Sequence, residues 1–171
     1  MAKGQAERLL VLCEELLAQA CVAVGDLDAI GVGTGPGNFT GIRISVSAAR
    51  GLALGLGIPA VGVSAFDALR LGTTGPCACA IDARRGQVYL QRYEITGQPV
   101  GAPSLSDAEA LPAHDGPLIG AGGQPPPLPV AEALARLAAI RFRDAPPRPA
   151  PLYLRPADAA PARDPGPHLL R

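Results

Sequence analysis

Apolar positions near the start of the chain recur at helical spacing. Leu9, Leu12, Cys13, Leu16 and Ala20 fall on one face of a helix predicted from Gln5 to Cys21, and Leu10 and Leu17 widen the apolar arc. Glu7, Arg8, Glu14, Glu15 and Gln19 leave only a narrow polar strip. Such a helix is expected to cover a sheet on one side and meet another helix on the other, although a helix buried in a compact monomer carries the same pattern. Strand character in Ala29 to Val32 then gives way to Gly33, Gly35, Pro36 and Gly37, and helical periodicity returns from Phe39 to Leu56.

Two readings of this glycine-rich turn compete. Free amides and the helix dipole at a helix N-terminus favour an anion. The named phosphate motifs do not fit, because a P-loop ends in Gly-Lys-Ser/Thr whereas the only lysine is Lys3, and Pro36, Asn38 and Thr40 stand where a third dinucleotide-type glycine is required. The other reading is close packing. Gly41, Ser45, Ala48, Leu52 and Gly55 form a stripe with little bulk on the following helix, and Arg43 and Arg50 lie on the opposite side. Gly51 and Gly55 each cost a helix about 1 kcal/mol relative to alanine, so packing space outweighs propensity here. The stripe admits a second backbone, either the chain's own first helix or a helix of another subunit.

Ile58 to Val63 reads as a short buried strand, and Ser64 as the N-cap of a helix through Leu71. After the punctuation of Gly72 to Pro76, a hairpin is predicted with Cys77 to Asp82 and Gln87 to Glu94 flanking the turn Ala83-Arg84-Arg85-Gly86. Pro99 to Leu105 follows as irregular or edge strand, Ser106 to Leu111 as a capped short helix, Leu118 to Ala121 as a strand and Val130 to Ile140 as a helix. The class is α/β, with a first lobe over 1–73, a second over 76–157 and a proline-rich extended tail over 158–171.

Fifteen Lys and Arg balance fifteen Asp and Glu, and six aromatic residues without Trp offer little stacking surface, so the chain alone is a poor nucleic-acid binder. No charge-free apolar run reaches the roughly 18 residues of a membrane span, and no signal-peptide pattern opens the chain, which places it in the cytoplasm. Cys77 and Cys79 alternate along a strand and are read as small buried residues in preference to a metal or redox pair. His114 and His168 stand among loop residues, where exposure to solvent is expected and metal ligation is not.

Three segments, GTGPGNFTGIRISVSAARGLALG with the IPAVGVSAFDAL that follows, IDARRGQVYLQRYE, and PLYLR, together resemble the TsaB (YeaZ) family in order and spacing. The resemblance spans residues 4 to 157 and implies an actin, Hsp70 and sugar-kinase (ASKHA) type of fold that has lost its catalytic apparatus. It implies a non-catalytic scaffold in the machinery that places threonylcarbamoyl on adenosine 37 of tRNA. Family members pair with a TsaD-type transferase subunit through their first two helices, self-associate as homodimers through the same surface, and are joined by a TsaE-type ATPase. On this reading tRNA is reached only through the complex. The chain has no metal and no cofactor of its own, and ATP or ADP has a place only at the complex interface.

Carried onto this sequence, the partner surface comprises Leu9, Leu12, Cys13 and Leu16 with Gly41, Ser45, Ala48 and Leu52, and the family-motif loop comprises Gly33, Gly35, Pro36, Gly37, Phe39 and Thr40. Arg43, Asp82, Arg84 and Arg85 are candidates to face a partner or its nucleotide, with Asp82 also read as a turn former. Family members carry a β-hairpin and a third strand ahead of the first helix. Their absence is expected to leave Ala29 to Val32 short of neighbours, with an exposed apolar face on the first lobe. Competing functions are a nucleotide hydrolase or glycoprotease-like enzyme of the same fold, for which no H-E-x-x-H pair or nucleophile beside a histidine is present, and an inert homodimer.

Overall fold

The computed structural model describes residues 5–154. The tail expected over 158–171, together with Arg155 and His168, lies outside the described residues. The chain opens with helix α1 (Gln5–Gln19), followed by strand β1 (Ile30–Gly33), helix α2 (Phe39–Leu56), strand β2 (Ala60–Val63) and helix α3 (Ala65–Arg70). Strands β3 (Cys77–Arg84), β4 (Gln87–Tyr93), β5 (Pro99–Asp107) and β6 (Leu118–Gly120) follow, then helix α4 (Val130–Arg141).

Local chemistry sets most boundaries. Asn38 caps α2, its side-chain oxygen accepting from the Gly41 amide at 2.8 Å, and Gly57 ends the helix at a φ of 68°. Ser64 caps α3 by accepting from the Asp67 amide at 3.0 Å, as the sequence predicts. Helix α1 stops two residues earlier than predicted because Cys21 adopts a φ of 55°, and the amides of Cys21 and Val22 turn back onto the carbonyls of Ala18 and Leu17.

The first sheet pairs β1 with β2 in parallel, Ile30 opposite Ala60 through Gly33 opposite Val63. One face is covered by α2, through a cluster of Val32, Val46 and Ala49 with Ile30 and Ile42. The other is covered by α4, whose Leu137 and Ala138 pack on Val61 and Val63. Gly31 makes that approach feasible, since a Cβ there would lie 2.7 Å from the Ala138 Cβ. The sheet itself therefore has no exposed apolar face, since a helix from far along the chain takes it; among the described residues β1 is short of neighbours as expected, with β2 alone beside it, and the exposed apolar face of the first lobe falls on α1. The same fact corrects the expectation for α1. With both faces of the first sheet occupied, α1 covers neither, and none of its described residues is fully buried.

The second sheet has the order β5-β4-β3-β6, antiparallel except for the parallel β3–β6 pair. Its main core joins Cys77, Cys79, Tyr89, Tyr93 and Ile119 to Phe66 and Leu69 of α3, and the opposite face buries Ala78, Ala80, Val88 and Leu90. The helix predicted over Ser106 to Leu111 is not formed. Strand β5 continues through Ser106, paired with Val88, to Asp107, whose carboxylate accepts from the Glu109 amide at 3.0 Å and makes a turn in place of a helical cap. Strand β3 runs past Asp82 to Arg84 through a bulge, leaving Arg85 and Gly86, both at positive φ, as the hairpin turn.

Candidate functional site

The glycine-rich loop is held by its own chain. The Thr34 amide donates to the Val63 carbonyl at 2.9 Å, and the Gly35 carbonyl accepts from the Ala65 amide at 2.8 Å. A Cβ on Gly35, whose φ is 96°, would meet the Ile42 Cδ1 at 2.6 Å and the Leu152 carbonyl oxygen at 3.3 Å. A strap over 149–154 crosses the loop: Pro149 is buried beside Gly62, the Leu152 amide donates to the Thr34 carbonyl at 2.8 Å, and Leu154 packs on the core of the second sheet. Close packing thus accounts for Gly35 and the buried Pro36, whereas a Cβ on Gly33 or Gly37 would make only ordinary contacts, at 3.5 Å to Leu134 and 3.7 Å to Ile42.

Four exposed large apolar side chains fall together on α1 and two on α2, while the others are scattered from Val22 to Tyr153. In α1, Leu12 is 37% and Leu16 55% exposed, while Leu9 and Cys13 are half-buried; Leu10 and Val11 are exposed as well. In α2, Gly41, Ser45, Ala48 and Leu52 are all half-buried, and the Ser45 hydroxyl donates to carbonyls of its own helix. Nothing lies within 4 Å of a Cβ built on Gly51 or Gly55, so the space these glycines leave is open. Thr40 and Phe39 are exposed at the start of the same helix.

The four polar candidates divide into two groups. The Arg43 guanidinium lies 3.8 Å from the Phe39 ring centre, and its Nε donates to the Tyr153 hydroxyl at 2.8 Å. At the β3–β4 turn, the Asp82 carboxylate accepts from the Arg84 amide at 2.7 Å, a turn-forming contact, while the Arg84 and Arg85 side chains are exposed. Sequence reasoning missed Tyr153 as a partner of Arg43; its only signal was the isolated aromatic in PLYLR. It also missed the Asp67 network, in which Asp67 accepts from Arg141 of α4 at 3.0 Å and from the Tyr93 hydroxyl at 3.2 Å.

Burial, reinforced by the neighbouring Cys77, pushes the Cys79 thiol up to about 12. Burial and the Asp67 carboxylate push the Tyr93 hydroxyl up as well. Both groups stay protonated at neutral pH, which suits core residues and not nucleophiles. His114 is half-buried with its Nδ1 lacking a partner, a correction to the expectation of a fully solvated loop histidine. Among the described residues no three His, Cys, Asp or Glu side chains are placed to hold a metal ion, and no helix is long and apolar enough to cross a membrane.

Two sheets flanked by helices, with a far-end helix closing the first of them, define an α/β protein of the actin, Hsp70 and sugar-kinase type. The structure of an uncharacterized protein with similarity to peptidase YEAZ from Pseudomonas aeruginosa matches it at a TM-score of 0.69, with 31% identity over 88% of this chain and 84% of that one. YeaZ from Pseudomonas aeruginosa matches at 0.68, with 28% identity over 88% and 85% of the two chains. Residues 1–145 match the family model described as TsaD: tRNA N6-adenosine threonylcarbamoyltransferase. An uncharacterized protein of Mycobacterium tuberculosis (strain ATCC 25618 / H37Rv) is 37% identical over 170 residues, covering 94% of this chain and 79% of its own length. The tRNA threonylcarbamoyladenosine biosynthesis protein TsaB of Escherichia coli (strain K12) is 39% identical over 93 residues, which are 52% of this chain and 40% of that protein. The chain belongs to the TsaB (YeaZ) family.

Proposed function

We propose that this chain is the non-catalytic scaffold subunit that pairs with a TsaD-type transferase in the N6-threonylcarbamoylation of tRNA adenosine 37. The observation that carries the reading is α1, which presents Leu10, Val11, Leu12 and Leu16 to solvent while both faces of the adjoining sheet are already covered by other helices. The open space beside Gly51 and Gly55 on α2 supports the same surface. Balanced charge leaves tRNA to be held by the complex. The chain has no cofactor of its own in this proposal, ATP or ADP enters at the complex interface, and a TsaE-type ATPase joins the assembled pair in the cytoplasm.

The test is co-elution of the full chain with a TsaD-type subunit, followed by threonylcarbamoylation of tRNA with and without it. Expected are a stable complex and modification that depends on the chain. Failure to form the complex would remove the proposal. Self-association through α1 and α2 is the second reading, favoured by the same apolar exposure, and shows as concentration-dependent mass in the absence of the transferase.

A further inference from the structure

Arg43 is fixed by Phe39, one turn earlier on α2, and by Tyr153 of the strap. Tyr153 lies 110 positions later in sequence, and its hydroxyl holds the Arg43 Nε at 2.8 Å. The guanidinium carbon is 3.8 Å from the Phe39 ring centre and 5.6 Å from that of Tyr153, and the two ring centres are 4.9 Å apart. The strap that carries Tyr153 is itself anchored on both sides, by Leu152 on Thr34 and by Leu154 in the second core. The plane and one nitrogen of the guanidinium are thus set in the free chain, while Nη1 and Nη2 have no partner among the described residues. An arginine held this way loses little rotamer freedom when it binds.

The surroundings specify the ligand. No acidic residue occurs anywhere in α2, and Arg43, Arg50 and the exposed Leu54 recur at i, i+7 and i+11 along one face. Two arginines among exposed apolar groups are too few for a polyanion, which needs a field of cations, but they suit one or two carboxylates set in an apolar surface.

We infer that Arg43 anchors a docking surface for an acidic segment of the partner subunit: an Asp or Glu carboxylate pairs with Nη1 and Nη2 of Arg43 against the outer face of α2, and Tyr153 positions the guanidinium to receive it. The inference rests on the functional reading above, and its occupant is the transferase subunit. Isothermal titration of the full chain with that subunit, at low and at high salt, tests it with Arg43→Ala, Arg43→Lys and Tyr153→Phe. Arg43→Ala and Arg43→Lys are each expected to weaken binding by about tenfold or more, because lysine keeps the charge but not the fork, and Tyr153→Phe by roughly threefold to tenfold. The salt dependence of Kd shrinks in Arg43→Ala, and the melting temperature of free Arg43→Lys stays that of the parent. Binding within about twofold of the parent by both Arg43 variants would overturn the anchor while leaving the scaffold reading in place. No binding by the parent chain would overturn that reading and this inference with it.

Discussion

Cys79 and Tyr93 show how burial decides the chemistry of single residues. Cys79 is fully buried beside Cys77, and its thiol is displaced from an ordinary 9.0 to about 12. A raised folded-state value means that the native chain holds this proton when the unfolded chain has released it. The associated stability is complete below pH 9.0 and is lost as pH climbs toward about 12. Tyr93 acts in the same direction at higher pH. Urea unfolding between pH 8 and 11 is expected to show declining stability above pH 9.0, with a shallower decline in Cys79→Ala. The burial of both thiols was legible from alternation in the Cys77-Ala78-Cys79 segment. The clasp around Arg43 was not, because no local pattern ties a residue in α2 to one 110 positions away.

At the scale of elements, α2 and α3 were readable to within a residue or so because their ends are written locally, in Asn38, Gly57 and Ser64. The end of α1 was not, since a cysteine performs there the left-handed turn usually given to glycine. The missing helix at Ser106 is a tertiary override: pairing of Ser106 with Val88 extends β5 through a stretch whose composition also suits a capped turn. The approach of α4 to β1 depends on Gly31. Gly31→Val is expected to destabilise the chain by about 1–3 kcal/mol, by forcing α4 off the sheet, with the loss read from thermal or urea unfolding. Unchanged stability would mean that α4 yields without cost.

For the whole molecule, the informative contrast is between surfaces that are covered and surfaces that are not. The first sheet is enclosed by α2 and α4, and the strap ties its glycine loop to the core of the second sheet. Helix α1 stands outside that arrangement. Leu12→Asp with Leu16→Asp is accordingly expected to leave unfolding stability within about 0.5 kcal/mol of the parent while abolishing co-elution with the transferase subunit. A large loss of stability would show instead that α1 serves the chain's own core. The apolar excess of α1 was legible in its own residues, but the absence of a sheet beneath it was not, because nothing in residues 5–21 reveals that a helix at 130–141 has already filled that place.

That placement of α4 also bears on the order in which the protein is made. Strand β2 leaves the ribosome long before Leu137 and Ala138, the residues that cover Val61 and Val63. During that interval the nascent chain carries an uncovered apolar strand beside a glycine-rich one, and the first sheet closes only once α4 has been made. Slow or interrupted translation beyond β6 therefore lengthens the period in which the chain is most exposed to aggregation.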